Sequence, residues 1–494
     1  MGRWGTVAAA VAAMLCLAAP PAEAAPALAK PYDFDGNGYV DLAIGAPALR
    51  VGNVLEAGGV IVLASSEKGP SRREQVITAA GLGVPGGSEE YTWFGYAVAS
   101  ADFNRDGYAD LVVGQPNDTV NGVTSAGSVT VVYGSRTGLD VSRSATITQP
   151  DGRFGELGWG TSLATLDSNG DGFPDLAVGA PGDDYGFSDG KVGILPGGQG
   201  GVSRTPLAVL SGGPTTDPAT GVSGDDSRFG SALATGDLDR DGDTDLVVVS
   251  GGTDNAQDEV PGSVSACLTQ SGRQPVCRRL LHKASLRGLE AVAVGNRSGD
   301  ALPEIVIGVP GSEDSEPIVG SVRVLHLTTR GGLHLAKLTK ITQNSRGVPG
   351  KDERKDWFGT SLALGDIDRN GYADLIVGAP GENKGRGQVT VIRGARSGWK
   401  TSGNYSYSQN TKGIPGKAER GDWFGWSLTL LDHNRDGRPD LSIGAPLEDK
   451  WSGMITTLPG SGTKFSTGRS HTFGLEKLGY RYPAQARFGL SLGR

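Results

Sequence analysis

The sequence predicts an all-β protein, a seven-bladed β-propeller of four-stranded blades, and three observations carry that prediction. An acidic loop recurs seven times at intervals of about 60 to 70 residues, each time running into an apolar stretch. Each repeat holds four short alternating runs separated by Gly-rich or Pro-containing turns, the sequence form of a propeller blade. The first repeat lacks its opening run, and residues Phe488-Gly489-Leu490-Ser491-Leu492 supply it, so the C-terminal strand is expected to complete blade one and close the ring.

The opening strand of a repeat follows an aromatic-Gly pair eight residues before the acidic loop: Phe94-Gly95, Trp159-Gly160, Phe229-Gly230, Phe358-Gly359 and Phe424-Gly425. In the fifth repeat Gly288 stands where the aromatic belongs. One parity of this strand is small (Gly95, Ala97, Ala99) and the other bulky (Phe94, Tyr96, Val98). Small side chains are expected against the central axis, with bulky ones packing blade against blade. The second strand ends at Gly-Ala-Pro, as in Gly45-Ala46-Pro47 and Gly378-Ala379-Pro380, where proline has no N–H to extend the ladder. A third strand opens with Gly and alternates, as in Gly127-Ser128-Val129-Thr130-Val131-Val132, and a fourth follows, as in Thr339-Lys340-Ile341-Thr342.

Composition agrees with many strands and turns. Gly accounts for 80 of 494 residues without a collagen period. The formal net charge of −8, with no basic block, argues against a nucleic-acid partner. Residues 1–24 read as an export signal. Arg3 precedes an apolar run from Val7 to Ala19, and Ala22-Glu23-Ala24 offers small residues for cleavage after Ala24. Leu15 before Cys16 argues against a lipoprotein signal. The run is too short to span a bilayer, and no later segment could do so. The propeller is therefore expected over 25–494, secreted or extracellular, as a monomer. Cys267 and Cys277 remain; in an oxidising compartment they are expected to bridge one hairpin, contributing about 2–3 kcal/mol, the alternative being two separate thiols.

The acidic loops place oxygen side chains at positions 1, 3, 5 and 9. They are Asp33, Asp35, Asn37 and Asp41; Asp102, Asn104, Asp106 and Asp110; Asp167, Asn169, Asp171 and Asp175. The later ones are Asp237, Asp239, Asp241 and Asp245; Asp366, Asp368, Asn370 and Asp374; Asp432, Asn434, Asp436 and Asp440. Glycine at position 6 permits the sharp turn that gathers these oxygens, and a backbone carbonyl near position 7 would complete the shell of a Ca²⁺ ion. An EF-hand needs Glu at position 12 and flanking helices, whereas Val113 and Val178 stand there. Mg²⁺ is less suited, because it keeps its waters. Nineteen aspartates in six loops repel one another without a cation, and six Ca²⁺ ions would move the formal charge from −8 to +4. The fifth loop, with Asn296, Ser298, Asp300 and Glu304 and with Ala301 replacing the glycine, is expected to be empty or weak.

These residues resemble the FG-GAP repeats of the integrin α-subunit head, also found in bacterial secreted proteins. The resemblance covers nearly all of the chain after the export signal. It implies calcium loops between the first and second strands of each blade and a role in adhesion or ligand binding. The resemblance does not extend to integrin leg domains, membrane span or cytoplasmic tail, so integrin signalling is not expected to carry over.

No catalytic constellation stands out. Gly489-Leu490-Ser491-Leu492-Gly493 fits the Gly-x-Ser-x-Gly pattern, but the same stretch recurs as Gly359-Thr360-Ser361-Leu362 with no helix to follow. None of the five histidines has zinc-ligand spacing, and His433, inside an acidic loop, is expected to face solvent. The expectation is a non-catalytic module for a protein or glycan ligand. The alternative is a secreted hydrolase or lyase with its active site on the propeller face. Ligand contacts are expected on the face opposite the acidic loops, at Asp183-Asp184-Tyr185, Glu313-Asp314-Ser315-Glu316, Glu382-Asn383-Lys384 and Glu448-Asp449-Lys450-Trp451. Trp93, Trp357 and Trp423 repeat and are expected to pack. Trp451 and Tyr185, which do not repeat, are better ligand contacts.

Overall fold

The computed structural model describes residues 27–493, apart from 84–88, 151–157, 183–189, 213–214, 217–222, 225–227, 255–258, 284–285, 287, 290, 297–301, 312–318, 397 and 481–484. The export segment, Asp183-Asp184-Tyr185, Glu313-Asp314-Ser315-Glu316 and most of the fifth acidic loop therefore lie outside the described residues. Seven four-stranded antiparallel sheets make up a seven-bladed β-propeller. The innermost strands are Ser491–Leu492, Ala97–Ala101, Ser162–Leu166, Phe229–Gly236, Ala291–Gly295, Ser361–Gly365 and Ser427–Leu431. Each touches the next around the ring, and the last returns to the first. Blade one joins Ser491–Leu492 to Leu42–Ala46, pairing Ile44 with Leu492 and Gly45 with Ser491, so the C-terminal strand does close the ring.

The core is divided among the seven gaps between blades. Between blades one and two, for example, Ala43, Val60 and Val62 meet Leu111 and Val113. Between seven and one, Ile455 and Phe473 meet Leu42, Ile44 and Leu63. The alternating strand sends one parity to each neighbouring gap, so both faces of every blade are apolar.

That division corrects the expected role of small residues. Both parities of the inner strand pack between blades, and the axis sees the strand edge. Val98, Leu233 and Leu362 fill the gap to the preceding blade; Ala99, Ala232 and Ala363 fill the gap to the following one. The following-blade side needs small groups because backbones meet there. Outside blade four, where Val249 takes the place of the second-strand glycine, the N–H of the Gly after the aromatic donates to that glycine's carbonyl within its blade, as from Gly95 to Gly114 at 3.1 Å and from Gly425 to Gly444 at 3.0 Å. Its own carbonyl abuts the Gly-Ala-Pro glycine of the blade before. A Cβ at Gly45, Gly114 or Gly378 would run into the carbonyl oxygen of Gly95, Gly160 or Gly425.

The aromatic-Gly pair occupies the centre of a tight turn, with Trp423 C=O accepting from Trp426 N–H at 3.1 Å and Gly425 at φ +93°. A positive φ at that corner is what excludes other residues. In blade five, where the aromatic is missing, Leu286 and Leu289 are fully buried in the gap to blade four. Cys267 and Cys277 face each other across Gly262–Leu268 and Val276–Lys283, with sulfurs bonded at 2.05 Å.

Replacing Gly378 by Ala should therefore destabilise the fold by about 1–3 kcal/mol, the scale of overpacking in a dense core. Gly468→Ala, where a Cβ meets nothing within 4 Å, should leave stability unchanged. Urea unfolding of the two variants measures the difference.

Candidate functional site

The acidic loops join first to second strands and so lie on one end of the ring. Each is held by its own aspartates. Position 9 is a buried staple: Asp110 accepts from Phe103 N–H at 3.1 Å and from Gly134 N–H at 2.9 Å. Asp245 does the same with Leu238 and Thr269, and Asp440 with His433 and Gly460. Position 1 turns the loop, Asp102 accepting from the N–H groups of Asp106 and Gly107 and Asp432 from those of Asp436 and Gly437. Positions 3 and 5 cap the backbone two residues on, as Asn104 does for Asp106, Asn169 for Asp171, and Asn37 for Tyr39.

These staples leave carboxylates crowded and partly buried. In two loops the oxygens of positions 1, 3 and 9 lie within 4.8 Å of one another: Asp237, Asp239 and Asp245, and Asp366, Asp368 and Asp374. Asp241 at position 5 is outside the first group. Burial pushes Asp110 up to about 8, Asp41 and Asp440 to about 7, and Asp245 and Asp374 to about 6, with neighbouring carboxylates adding to the rise. Oδ1 of Asp33 and of Asp368 are buried without a hydrogen-bond donor. Acceptor oxygens gathered, desolvated and lacking donors fit a hard divalent cation.

Neighbouring loops are tied into a belt. The arginine at position 4 reaches the next loop: Arg369 donates to the carbonyls of Asp436 at 2.8 Å and Gly437 at 2.9 Å. Arg435 lies over the Tyr39 ring at 5.5 Å, and Arg105 over Phe173 at 5.7 Å.

His433 does not face solvent as expected; it is fully buried, with Nδ1 2.6 Å from Val40 O in blade one. Position 2 points inward in other loops too: Phe34, Phe103, Leu238 and Ile367 fill it and are all buried, as is Ser168, which bonds Asp175 of its own loop. Desolvation lowers the His433 ring to about 4, keeping it neutral.

A cavity of about 490 Å³ runs along the axis between the inner strands, and Tyr96, Thr161, Arg228 and Trp426 line its end opposite the acidic loops. The tryptophans before the aromatic-Gly pairs stack here. Trp423 lies parallel to Trp426 at 4.9 Å and edge-on to Trp357 at 5.6 Å, and Trp93 stacks on Tyr96 at 5.9 Å. Trp93, Trp357 and Trp423 all have positive φ, near +60°, a conformation costly for a bulky residue. Trp451 is half exposed beneath the Arg487 guanidinium.

Glu382-Asn383-Lys384 and Glu448-Asp449-Lys450-Trp451 are one structure used twice, a turn with positive φ at Asn383 and Lys384 and at Asp449, Lys450 and Trp451. Each glutamate is buried and takes a 2.7 Å hydrogen bond from an amide, Gln343 to Glu382 and Gln409 to Glu448. Asp356 and Asp422 stand beside them, and burial plus the facing carboxylate raises Asp356 to about 7 and Glu448 to about 8. Sequence reading missed these groups. Their signal was the near-identity of the segments Gln343–Gly359 and Gln409–Gly425.

A ring of four-stranded blades with acidic loops on one end and an aromatic channel mouth on the other defines a β-propeller of the acidic-loop kind. Five of the repeats match the FG-GAP repeat, over 94–132, 159–195, 229–265, 358–392 and 424–463. The chain is similar to rat phosphatidylinositol-glycan-specific phospholipase D, 29% identical over 74% of this chain and 45% of that protein. The human enzyme is 28% identical over 74% and 44%. Rat integrin alpha-7 is 42% identical over 32% of this chain and 12% of its own. The chain spans about half the length of the phospholipase relatives it matches. Similarity to an enzyme over most of the chain overturns the expectation of a chain without chemistry. Among the described residues no helix is long and apolar enough to cross a membrane.

The carboxylate shifts set a pH dependence. A carboxyl whose folded pKa lies above its unfolded value stabilises most when protonated, and that stability is lost as pH rises through the folded pKa. Metal-free protein should therefore melt at a lower temperature at pH 8.5 than at pH 5.5. Calcium should raise the melting temperature far more at the higher pH. Calorimetry in EGTA and in millimolar calcium, at both values, checks this.

Proposed function

We propose that this chain is an extracellular propeller that binds Ca²⁺ at about six loops and presents the opposite channel mouth to a substrate of a hydrolytic reaction. The ion's role is structural: it neutralises the loop carboxylates and fixes the turns that set blade spacing. Free calcium at about ten times Kd would add about 1.4 kcal/mol per site. The export segment 1–24, removed after Ala24, and the Cys267–Cys277 bond support an oxidising, extracellular setting.

The observation that carries the substrate face is the aromatic mouth itself. Trp423 stacks on Trp426 and takes Trp357 edge-on beside the 490 Å³ cavity, and rigid aromatic rings suit the flat faces of sugars. The phospholipase similarity supports a phosphodiester-linked glycan lipid as the first substrate class. A protein ligand held adhesively at the same mouth is the second reading, supported by the integrin alpha-7 similarity.

Purified calcium-bound chain should be assayed on glycosyl-phosphatidylinositol, other phosphodiesters, esters and polysaccharides, and on glycan and protein arrays. Trp426→Ala should weaken turnover or glycan binding roughly tenfold, the scale of one lost aromatic contact, with the melting temperature unchanged. Binding to proteins alone would favour adhesion. No turnover and no ligand on either array would remove both readings.

A further inference from the structure

In each blade the third-strand residue paired with the Leu or Ile after the position-9 acid is followed by one at the end nearest that blade's own acidic loop. Five blades place an uncharged side chain there: Ala64, Tyr133, Pro196, Leu268 and Pro459. Blade five places His326 and blade six Arg393, one step past the matching pairs Ile305–Leu325 and Leu375–Ile392. Both basic side chains approach a carboxylate of their own loop. His326 Nδ1 lies 3.6 Å from Glu304 Oε1 in the degenerate fifth loop. Arg393 Nη2 donates directly to Asp368 Oδ2, and Lys400 Nζ stands 3.9 Å from the same oxygen. Asp368 is 4% exposed, and its other oxygen has no donor.

The fourth loop makes the contrast. Asp237, Asp239, Asp241 and Asp245 supply four carboxylates, and uncharged Leu268 stands where blade six has Arg393. The sixth loop supplies three and already faces two positive charges. A guanidinium on a ligand oxygen competes for its lone pairs and repels an incoming cation from a few ångströms away.

We propose that Arg393 is a built-in counter-cation of the sixth-blade loop, holding Asp368 when no divalent ion is present and making this loop the weakest calcium site of the six. The proposal rests on the reading of the loops as calcium sites. It makes loop six fill last and empty first, and lets it keep its shape when empty. Partial calcium loss then leaves the ring with a loop that is still closed by its own side chain.

The test is equilibrium dialysis of calcium against the full chain, with Arg393→Gln, Arg393→Lys, Asp368→Asn and the double variant Arg393→Gln/Asp368→Asn. Wild type should show one equivalent binding at least about tenfold more weakly than the rest, as expected for a like charge beside the ion. Arg393→Gln should move that equivalent into the tighter class, and Arg393→Lys should not. The double variant should keep that equivalent but bind it more weakly than Arg393→Gln does, because Asn at position 3, as at Asn104 and Asn169, still offers an oxygen but no charge. In EGTA, Arg393→Gln should melt at a lower temperature than wild type, because the empty loop has lost its internal cation, and in saturating calcium the deficit should vanish. Bound calcium whose affinities Arg393→Gln leaves unchanged, or an equivalent lost in that variant, would overturn the proposal alone. No bound calcium in any chain would overturn the calcium reading and this inference together.

Discussion

The structure depends on one close approach, glycine against glycine carbonyl, repeated at six of the seven junctions between blades. The Gly-Ala-Pro glycine of one blade has no room for a Cβ because the carbonyl of the next aromatic-Gly turn sits against it. The same turn holds its own blade through a backbone hydrogen bond, so each pair is linked once within a blade and once between blades. Serine side chains reinforce the second link, with Ser162, Ser361, Ser427 and Ser491 donating to the carbonyls of Gly230, Gly425, Gly489 and Gly95. Everything outward from this inner belt is apolar wedge packing. The acidic loops and the aromatic mouth are the two ends of the same strands.

Those two ends divide the work by chemistry. On one, aspartates fold back on their own backbone and gather oxygens, which suits a hard cation. On the other, tryptophans in a costly backbone conformation stack around an open axis. The strain persists because each Trp is followed by the obligate aromatic-Gly turn, which fixes its backbone on one side. Two buried Gln–Glu–Asp groups brace the loops beside them, so the mouth is rigid without any ion on that end.

The repeat and its closure were legible in the residues, because glycines at positive φ and aspartates at fixed spacing have few other uses. Legibility stopped where a side chain's neighbour comes from a different blade. His433 looked like a loop residue in its own segment; set beside Phe34, Phe103, Leu238 and Ile367 at the same loop position, its burial follows. Arg393 was invisible for a different reason: its partner Asp368 belongs to the same blade but lies 25 residues away along the chain. Chemistry was the least legible, because no catalytic group recurs with the blades and the decisive sign was similarity to an enzyme.

The seal of the ring has a mechanical consequence. Blade one joins Ser491–Leu492 to Leu42–Ala46 in antiparallel sense, reinforced by Gly489 N–H on Gly45 O at 2.9 Å and Gly493 N–H on Ala43 O at 3.1 Å. The chain enters this pair at Leu42 and leaves it at Gly493, on the same side. Tension applied between those two points would peel the bonds one after another instead of shearing them together. A protein tethered through both termini would yield there first, at low force, with the other six blades still folded.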